Sequence, residues 1–212
     1  MRIDRSTQGA VTTGEAFTNP LAAGSGDAID APVLIVPGLR DSAPAHWQTH
    51  WQKQIQGSRR VVQCDALTPD LKAWTVAIQA QIDACPTAPI IIAHGFGCLA
   101  AVSAADHGST IRAALLVAPA DPERFGFDAS LGGRALPFPT TLVASSDDPS
   151  LKLVRAAALA SAWGSVFVPY RNAGHINAES GFGPWPQGFA HLQELMRRMP
   201  SRLSAAPTRL SS

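Results

Sequence analysis

The chain has 212 residues, a formal net charge of +1, 46% hydrophobic and 16% charged residues, the make-up of a folded domain with one full-sized core rather than of a disordered or coiled-coil chain. Its 17 lysines and arginines are scattered, with nothing longer than pairs such as Arg59-Arg60 and Arg197-Arg198, so there is no footprint for a phosphate backbone and no nucleic-acid partner is expected. The longest apolar runs, near residues 90–93 and 113–120, fall far short of the ~20 residues of a membrane span, so no membrane partner is expected.

Residues 1–30 are rich in Gly, Ser, Thr and Ala and read as a flexible leader. Arg2 and Arg5 are not followed by a continuous apolar stretch, so no secretory signal is expected and the expected location is cytoplasmic. A short buried strand is expected at Val33–Val36. Asp41-Ser42 and Pro44 then read as the entry cap of a helix over His46–Gln56, whose Trp47, Trp51 and Ile55 form one apolar stripe. A second strand is expected at Val61–Cys64. Thr68-Pro69-Asp70 marks the start of a helix carrying Leu71, Trp74, Ile78 and Ile82, with Pro86 beyond its end. Ile90–Ala93 reads as a strand, Phe96–Ala105 as a helix, and Ala114–Val117 and Thr141–Ser145 as two more strands. An Ala-rich helix over Leu151–Trp163 is closed by Gly164, a good C-terminal stop. A last strand at Val166–Val168 and a last helix over 187–199, announced by Trp185-Pro186, complete the pattern, and 201–212 reads as a flexible tail.

Strands this short and this continuously apolar suit a parallel sheet buried on both faces. The alternation of strand and helix therefore predicts an α/β domain over 31–200, with a mostly parallel central sheet, helices on both faces, and no insertion long enough for a lid domain. Cys64, Cys85 and Cys98 are odd in number and lack metal-ligand spacing. Cys64 and Cys98 fall in predicted core elements, so buried thiols are expected, and neither a metal nor a cofactor.

In open sheets of this kind ligands bind beyond the carboxyl ends of the strands. That directs attention to the loops at 37–45, 94–97, 119–139, 146–150 and 170–186, where Gly, Pro, Asp and His concentrate. Ile90-Ile91-Ile92-Ala93-His94-Gly95-Phe96-Gly97-Cys98 reads as strand, tight turn and first helical turn. That is the layout of the nucleophile elbow G-x-S-x-G of α/β-hydrolases, with Gly95 at the serine position. Two strand ends follow it in the chain order of a hydrolytic triad. One is Leu142-Val143-Ala144-Ser145-Ser146-Asp147-Asp148-Pro149 and ends in carboxylates; the other is Val168-Pro169-Tyr170-Arg171-Asn172-Ala173-Gly174-His175 and ends in a loop histidine.

His175 is thus the candidate general base. Asp148, directly ahead of Pro149, is favoured over Asp147 as its orienting carboxylate, since Asp147 also suits a turn or a cap. Backbone N–H groups of Phe96 and of Leu39 or Arg40 are the candidate oxyanion donors, with Gly38 permitting a close backbone approach. Substrate-binding residues are sought at Gly38, Arg40, Phe138 and Trp185, within apolar stretches at 125–138 and 182–185. Cys98, Ser42, Ser145 and Ser146 are weighed as replacement nucleophiles and none is favoured. His46 and His94 are read as structural.

Further motifs make the chain recognisable. They are Val33-Leu34-Ile35-Val36-Pro37-Gly38-Leu39, His46-Trp47 with Trp51, Ala93-His94 with Phe96-Gly97-Cys98-Leu99-Ala100, and Val117-Ala118-Pro119-Ala120. Leu136-Pro137-Phe138-Pro139, Ser145-Ser146-Asp147-Asp148-Pro149 and Gly174-His175-Ile176-Asn177-Ala178-Glu179-Ser180-Gly181-Phe182-Gly183-Pro184-Trp185 follow in order. Together they resemble the YdeN-like serine hydrolases, small lidless α/β-hydrolases, over about residues 32–198. The resemblance implies an α/β-hydrolase fold and a triad at the positions of Gly95, Asp148 and His175. It also implies esterase-like or amidase-like hydrolysis of a small-molecule ester or amide. The departure is at Gly95, where those proteins carry serine. Two readings of Gly95 stand side by side: a serine hydrolase lacking its nucleophile, and so impaired or inactive, or a non-catalytic binding or regulatory protein on the same scaffold.

Overall fold

In the computed structural model, the described residues are 29–131 and 133–200. The proposed leader and tail lie outside them, apart from residues 29 and 30 at the leader's end. Six strands form one sheet: β1 (Val33–Val36), β2 (Arg59–Arg60), β3 (Ile90–His94), β4 (Ala113–Val117), β5 (Thr140–Ser145) and β6 (Val166–Tyr170). Their order is β2-β1-β3-β4-β5-β6 and every pairing is parallel. Five α-helices connect them: α1 (Trp47–Gln54), α2 (Leu71–Asp83), α3 (Phe96–Asp106), α4 (Leu153–Ala162) and α5 (Pro186–Arg197). A short 3₁₀ turn at Pro122–Phe125, which the apolar pattern did not signal, sits between β4 and β5.

Because side chains alternate across a strand, the apolar runs divide between two cores. Leu34, Val36, Ile91, Ala93, Leu116, Leu142 and Ala144 face α2, α3 and α4, packing with Trp74, Ile78, Leu99, Leu159 and Trp163. Val33, Ile35, Ile90, Ile92, Leu115, Val117 and Val143 face α1 and α5, packing with Trp47, Trp51, Trp185, Phe189 and Leu192. Doubly covered strands of this kind need no polar face, which is why their sequences read as continuous apolar runs.

The differences from expectation are local. The second strand lies at Arg59–Arg60, not over 61–64. It is an edge strand of two residues, after which only Val61 still bonds back to the sheet, through its N–H to Ile35 O at 2.8 Å. An edge buries one flank at most, so Val62 and Cys64 are exposed and Cys64 is not a core thiol. α1 is capped by His46 itself, whose side chain accepts from Gln48 N, rather than by Asp41 or Ser42. Asp41 instead pairs with Arg60 at 2.7 Å.

Candidate active site

All five loops at the carboxyl edge of the sheet meet around a cavity of about 620 Å³. It is lined by Gly38, Leu39 and Arg40 after β1, by His94, Gly95 and Phe96 at the β3–α3 corner, by Ala120, Arg124 and Phe125 after β4, by Ser150 after β5, and by His175 with residues 177–179 after β6.

The β3–α3 corner is tight. Gly95 is the N-cap of α3 with φ 55° and ψ −125°, a conformation costly for residues with a Cβ. Its N–H donates to Val117 O, and its own carbonyl accepts from Cys98 N and Ala120 N. Two residues on, a Cβ at Gly97 would come within 2.3 Å of Pro37 O and 2.8 Å of Val36 O. The backbone of α3 therefore rests directly on the end of β1. At Gly95 the surroundings are open by contrast: an added Cβ would meet His175 Nε2 at 3.5 Å and Gly38 Cα at 3.6 Å, ordinary contact distances.

His175 is held from three sides. Its Nδ1–H donates to the Asp148 carboxylate, with both oxygens at 3.0 Å. Its carbonyl accepts from His94 Nε2–H at 2.9 Å, and its N–H donates to Ser180 Oγ at 3.1 Å. The Asp148 side chain is fully buried and also takes Ser150 N–H at 2.8 Å. Asp147 does something different: its Oδ1 accepts Gly174 N–H at 2.8 Å and the Ser145 hydroxyl at 2.6 Å. Ser145 Oγ in turn accepts Ala173 N–H, and Ser146 Oγ accepts Asn172 N–H. Four consecutive side chains, 145–148, thus grip four consecutive residues, 172–175. The Ser145 and Gly174 bonds, which favour the ionised form, hold the Asp147 carboxyl below its ordinary value. A carboxylate on Nδ1 fixes the imidazole tautomer and leaves Nε2 as a proton acceptor, here aimed at the place where a side chain on residue 95 would project.

Further support comes from α1. Trp47 Nε1–H donates to Ile176 O and Trp51 Nε1–H to Pro184 O, both at 2.9 Å, pinning the loop that carries His175. Gln48, fully buried, joins the end of β1 to the middle of β3 through Nε2–H bonds to Val36 O and Ile92 O at 3.1 Å. Neither role shows in a helical stripe, because it depends on which carbonyls end beside α1. His94 packs its ring 4.7 Å from that of His175 and 4.9 Å from that of His46. Burial above all pushes His94 well below the ordinary imidazole range, and burial followed by the nearby Arg60 charge lowers His46 to about 4. Both are therefore neutral near pH 7. Both line the cavity, and each also makes a structural bond, His46 to Gln48 N and His94 to His175 O.

The other expected site residues divide. Arg40 N–H is engaged with Ala66 O at 2.8 Å, which leaves Leu39, lining the same cavity as Phe96, as the loop's candidate donor. Gly38, Leu39, Arg40 and Phe96 all line the cavity; Phe138 and Trp185 do not. Phe138 lies at the opposite end of the sheet with Ala88, Ile111 and Arg112. It lies two residues before β5, so it sits at that strand's amino end. Trp185 turns inward at φ 45° and stacks on Trp51 with ring centroids 5.8 Å apart, over Gly188, where any Cβ would strike its ring at 2.3 Å. The stretch at 182–185 thus packs into the core under the His175 loop's anchors, and the aromatic side chains lining the cavity are Phe96 and Phe125, beside the histidines.

The chain matches the family model described as serine hydrolase over residues 33–194. It is also 39% identical to a YdeN-like hydrolase from Pectobacterium atrosepticum, covering 80% of this chain and 94% of that one with a TM-score of 0.75. This chain belongs to the YdeN-like serine hydrolases. The ydeN gene product of B. subtilis has the same fold at 18% identity, over 79% of this chain and all of that one, with a TM-score of 0.66. So has the esterase domain of a Rhodothermus marinus protein, at 17% identity over 81% and 88% of the two chains and a TM-score of 0.56. A comparison with curated protein sequences finds no match.

The serine residues of this family member that were weighed as stand-in nucleophiles are all engaged. Ser42 lines the cavity but donates its hydroxyl to Gln48 Oε1 at 2.6 Å, and Ser145 and Ser146 hold the His175 loop. Cys98 is buried with its thiol on Val117 O, and burial pushes its pKa far up. Among the described residues no three His, Cys, Asp or Glu side chains gather as a metal site, and no helix is long and apolar enough to cross a membrane.

Proposed function

We propose that the cavity is an acyl-transfer site for a small-molecule ester or amide, of Ser-His-Asp architecture, in which Gly95 stands at the nucleophile's position. His175 is its general base and acid, Asp148 the carboxylate that orients the imidazole and offsets the imidazolium, and the Phe96 and Leu39 N–H groups the oxyanion donors. In a serine-bearing site the hydroxyl on residue 95 loses its proton to His175 Nε2 as its oxygen attacks the acyl carbon, and the imidazolium then protonates the leaving group. With glycine there, that sequence has no attacking atom, so this chain is inactive or strongly impaired in covalent turnover. Water activated by His175 leaves at most a residual rate, since losing a triad member costs several orders of magnitude. The reading includes a cytoplasmic setting, in keeping with three free thiols.

One observation carries it: a Cβ built on Gly95 has His175 Nε2 as its nearest neighbour, at an ordinary contact distance of 3.5 Å. The test is fluorophosphonate labelling and short p-nitrophenyl ester hydrolysis by the native chain and by Gly95→Ser. Labelling and turnover by the variant alone support the reading. If neither protein responds, the acyl-hydrolase reading fails and the scaffold is a binding protein.

A further inference from the structure

Charge around the cavity over Gly95 is unevenly paired. Two arginines line it, Arg40 on the loop after β1 and Arg124 on the 3₁₀ turn after β4. β1 and β4 are the two neighbours of β3 in the sheet, so the arginines stand on either side of the β3–α3 corner. Among the described residues neither guanidinium has a hydrogen bond or an ion pair. The carboxylates close to them in the chain are taken by other arginines. Asp41, next to Arg40, pairs with Arg60 at 2.7 Å, and Asp121, shortly before Arg124, pairs with Arg155 at 3.5 Å. Arg155 also holds Glu123 at 3.0 Å. Neither Arg60 nor Arg155 lines the cavity. The other carboxylate in the lining is Glu179, on the loop that carries His175.

A single exposed arginine calls for no ligand, since water solvates it well. Two in one concave site, with the neighbouring carboxylates already engaged, set up a positive field that draws an anion in. The planar guanidinium fork also matches a carboxylate, donor for acceptor. We infer that the substrate is an ester or amide that itself carries a carboxylate. That group is bound at the flanks lined by Arg40 and Arg124 rather than beside His175, where Glu179 repels it. The inference rests on the acyl-hydrolase reading and adds to it a charge on the substrate that sequence alone leaves open.

Matched esters test it. Monoethyl adipate has a carboxylate where ethyl hexanoate has a methyl, on the acyl part; 4-acetoxybutanoate and butyl acetate differ in the same way on the alcohol part. The native chain is titrated calorimetrically with all four, and kcat/KM of Gly95→Ser is read from the acid released. At least one charged ester should exceed its neutral match by roughly fivefold to tenfold in both measurements, and by more at low salt. Arg40→Gln or Arg124→Gln, whichever flank holds the carboxylate, should lower that ratio by about threefold to fivefold, and Glu179→Gln should raise it about twofold. Arg112→Gln, beside Phe138 at the opposite end of the sheet, removes the same charge elsewhere and should leave the ratio unchanged. Equal affinity within both pairs, a ratio that neither cavity arginine alters, or one that Arg112→Gln lowers as much would each overturn the proposal. Turnover of neutral and charged esters alike by Gly95→Ser overturns it and spares the hydrolase reading. A variant inert on all four esters, with arginine-dependent binding retained, sinks the hydrolase reading and keeps the anion site. Inertness without such binding sinks both.

Discussion

Gly95 and His175 face one another across the gap of a single absent side chain, 3.5 Å from the built Cβ to Nε2. A serine there needs no neighbour to move, but it must adopt the φ of 55° that glycine holds without strain. Gly95→Ser and Gly95→Ala are therefore both expected to lose about 1–3 kcal/mol of stability in urea titrations, while only the serine variant gains ester turnover. Equal stability loss without a difference in activity would break the link between geometry and chemistry.

Asp147 and Asp148 are adjacent in sequence and divided in task. In the Gly95→Ser background, Asp148→Asn is expected to lower kcat by about 10⁴, because an amide in place of the carboxylate favours the wrong imidazole tautomer. Asp147→Asn keeps an oxygen for the Gly174 and Ser145 bonds and should retain activity close to the parent. Asp147→Ala removes that oxygen and should cost about tenfold to a hundredfold in kcat through a displaced His175 loop. A large loss from Asp147→Asn, with Asp148→Asn mild, would reverse the two assignments.

Much of this arrangement is legible in the chain itself. Apolar runs such as Ile90-Ile91-Ile92 announce doubly covered strands, and parallel strands put every strand-to-helix loop at one edge, so all five loops expected there line the cavity. Asp148 and His175 follow from order along the chain. The side-chain positions that depend on packing are less legible. Trp185 faces inward because Gly188 leaves room for its ring, and Phe138, adjoining the start of β5, belongs to the sheet's far end. Chain direction alone could have placed Phe138. The grip of residues 145–148 on 172–175, and that of Gln48 on two adjacent strands, are contacts between segments far apart in sequence, which no local pattern encodes.

Gly97 is the structural glycine of the elbow. A methyl group there would lie 2.3 Å from Pro37 O, a rigid backbone atom at the end of β1. Gly97→Ala must push α3 off β1 and is expected to cost about 1–3 kcal/mol, or more if the strand cannot follow. It should also weaken activity in the Gly95→Ser background, since Leu39 and Phe96 ride on the two displaced segments. Gly57→Ala is the matched control: a positive φ of 74° with open space around it, so the cost is limited to about 1–2 kcal/mol of backbone strain. Denaturant midpoints for the two variants separate collision from conformation, and equal losses would discard the packing argument.

Acid sensitivity should come from the buried histidines. His46 is lowered to about 4 from an ordinary 6.5, by burial first and then by the nearby Arg60 charge, and His94 lies well below 6.5 for the same leading reason. Below pH 6.5 the unfolded chain takes up protons that the folded chain refuses. For His46 the stabilisation from the neutral imidazole is thus in place well above 6.5 and is lost progressively as the pH falls from 6.5 toward 4, and His94 acts in the same direction. His46 steepens the loss by up to about 1.4 kcal/mol per pH unit within that window. His46→Asn removes one titrating group and keeps an acceptor for the Gln48 N–H at the helix start. Urea midpoints at pH 7.5, 6.5 and 5 should show the native chain losing about 1.5 kcal/mol more than the variant between the last two values, and only a few tenths more between the first two. Parallel curves down to pH 5 would mean that His46 is already protonated in the fold, and the account of its burial would fall.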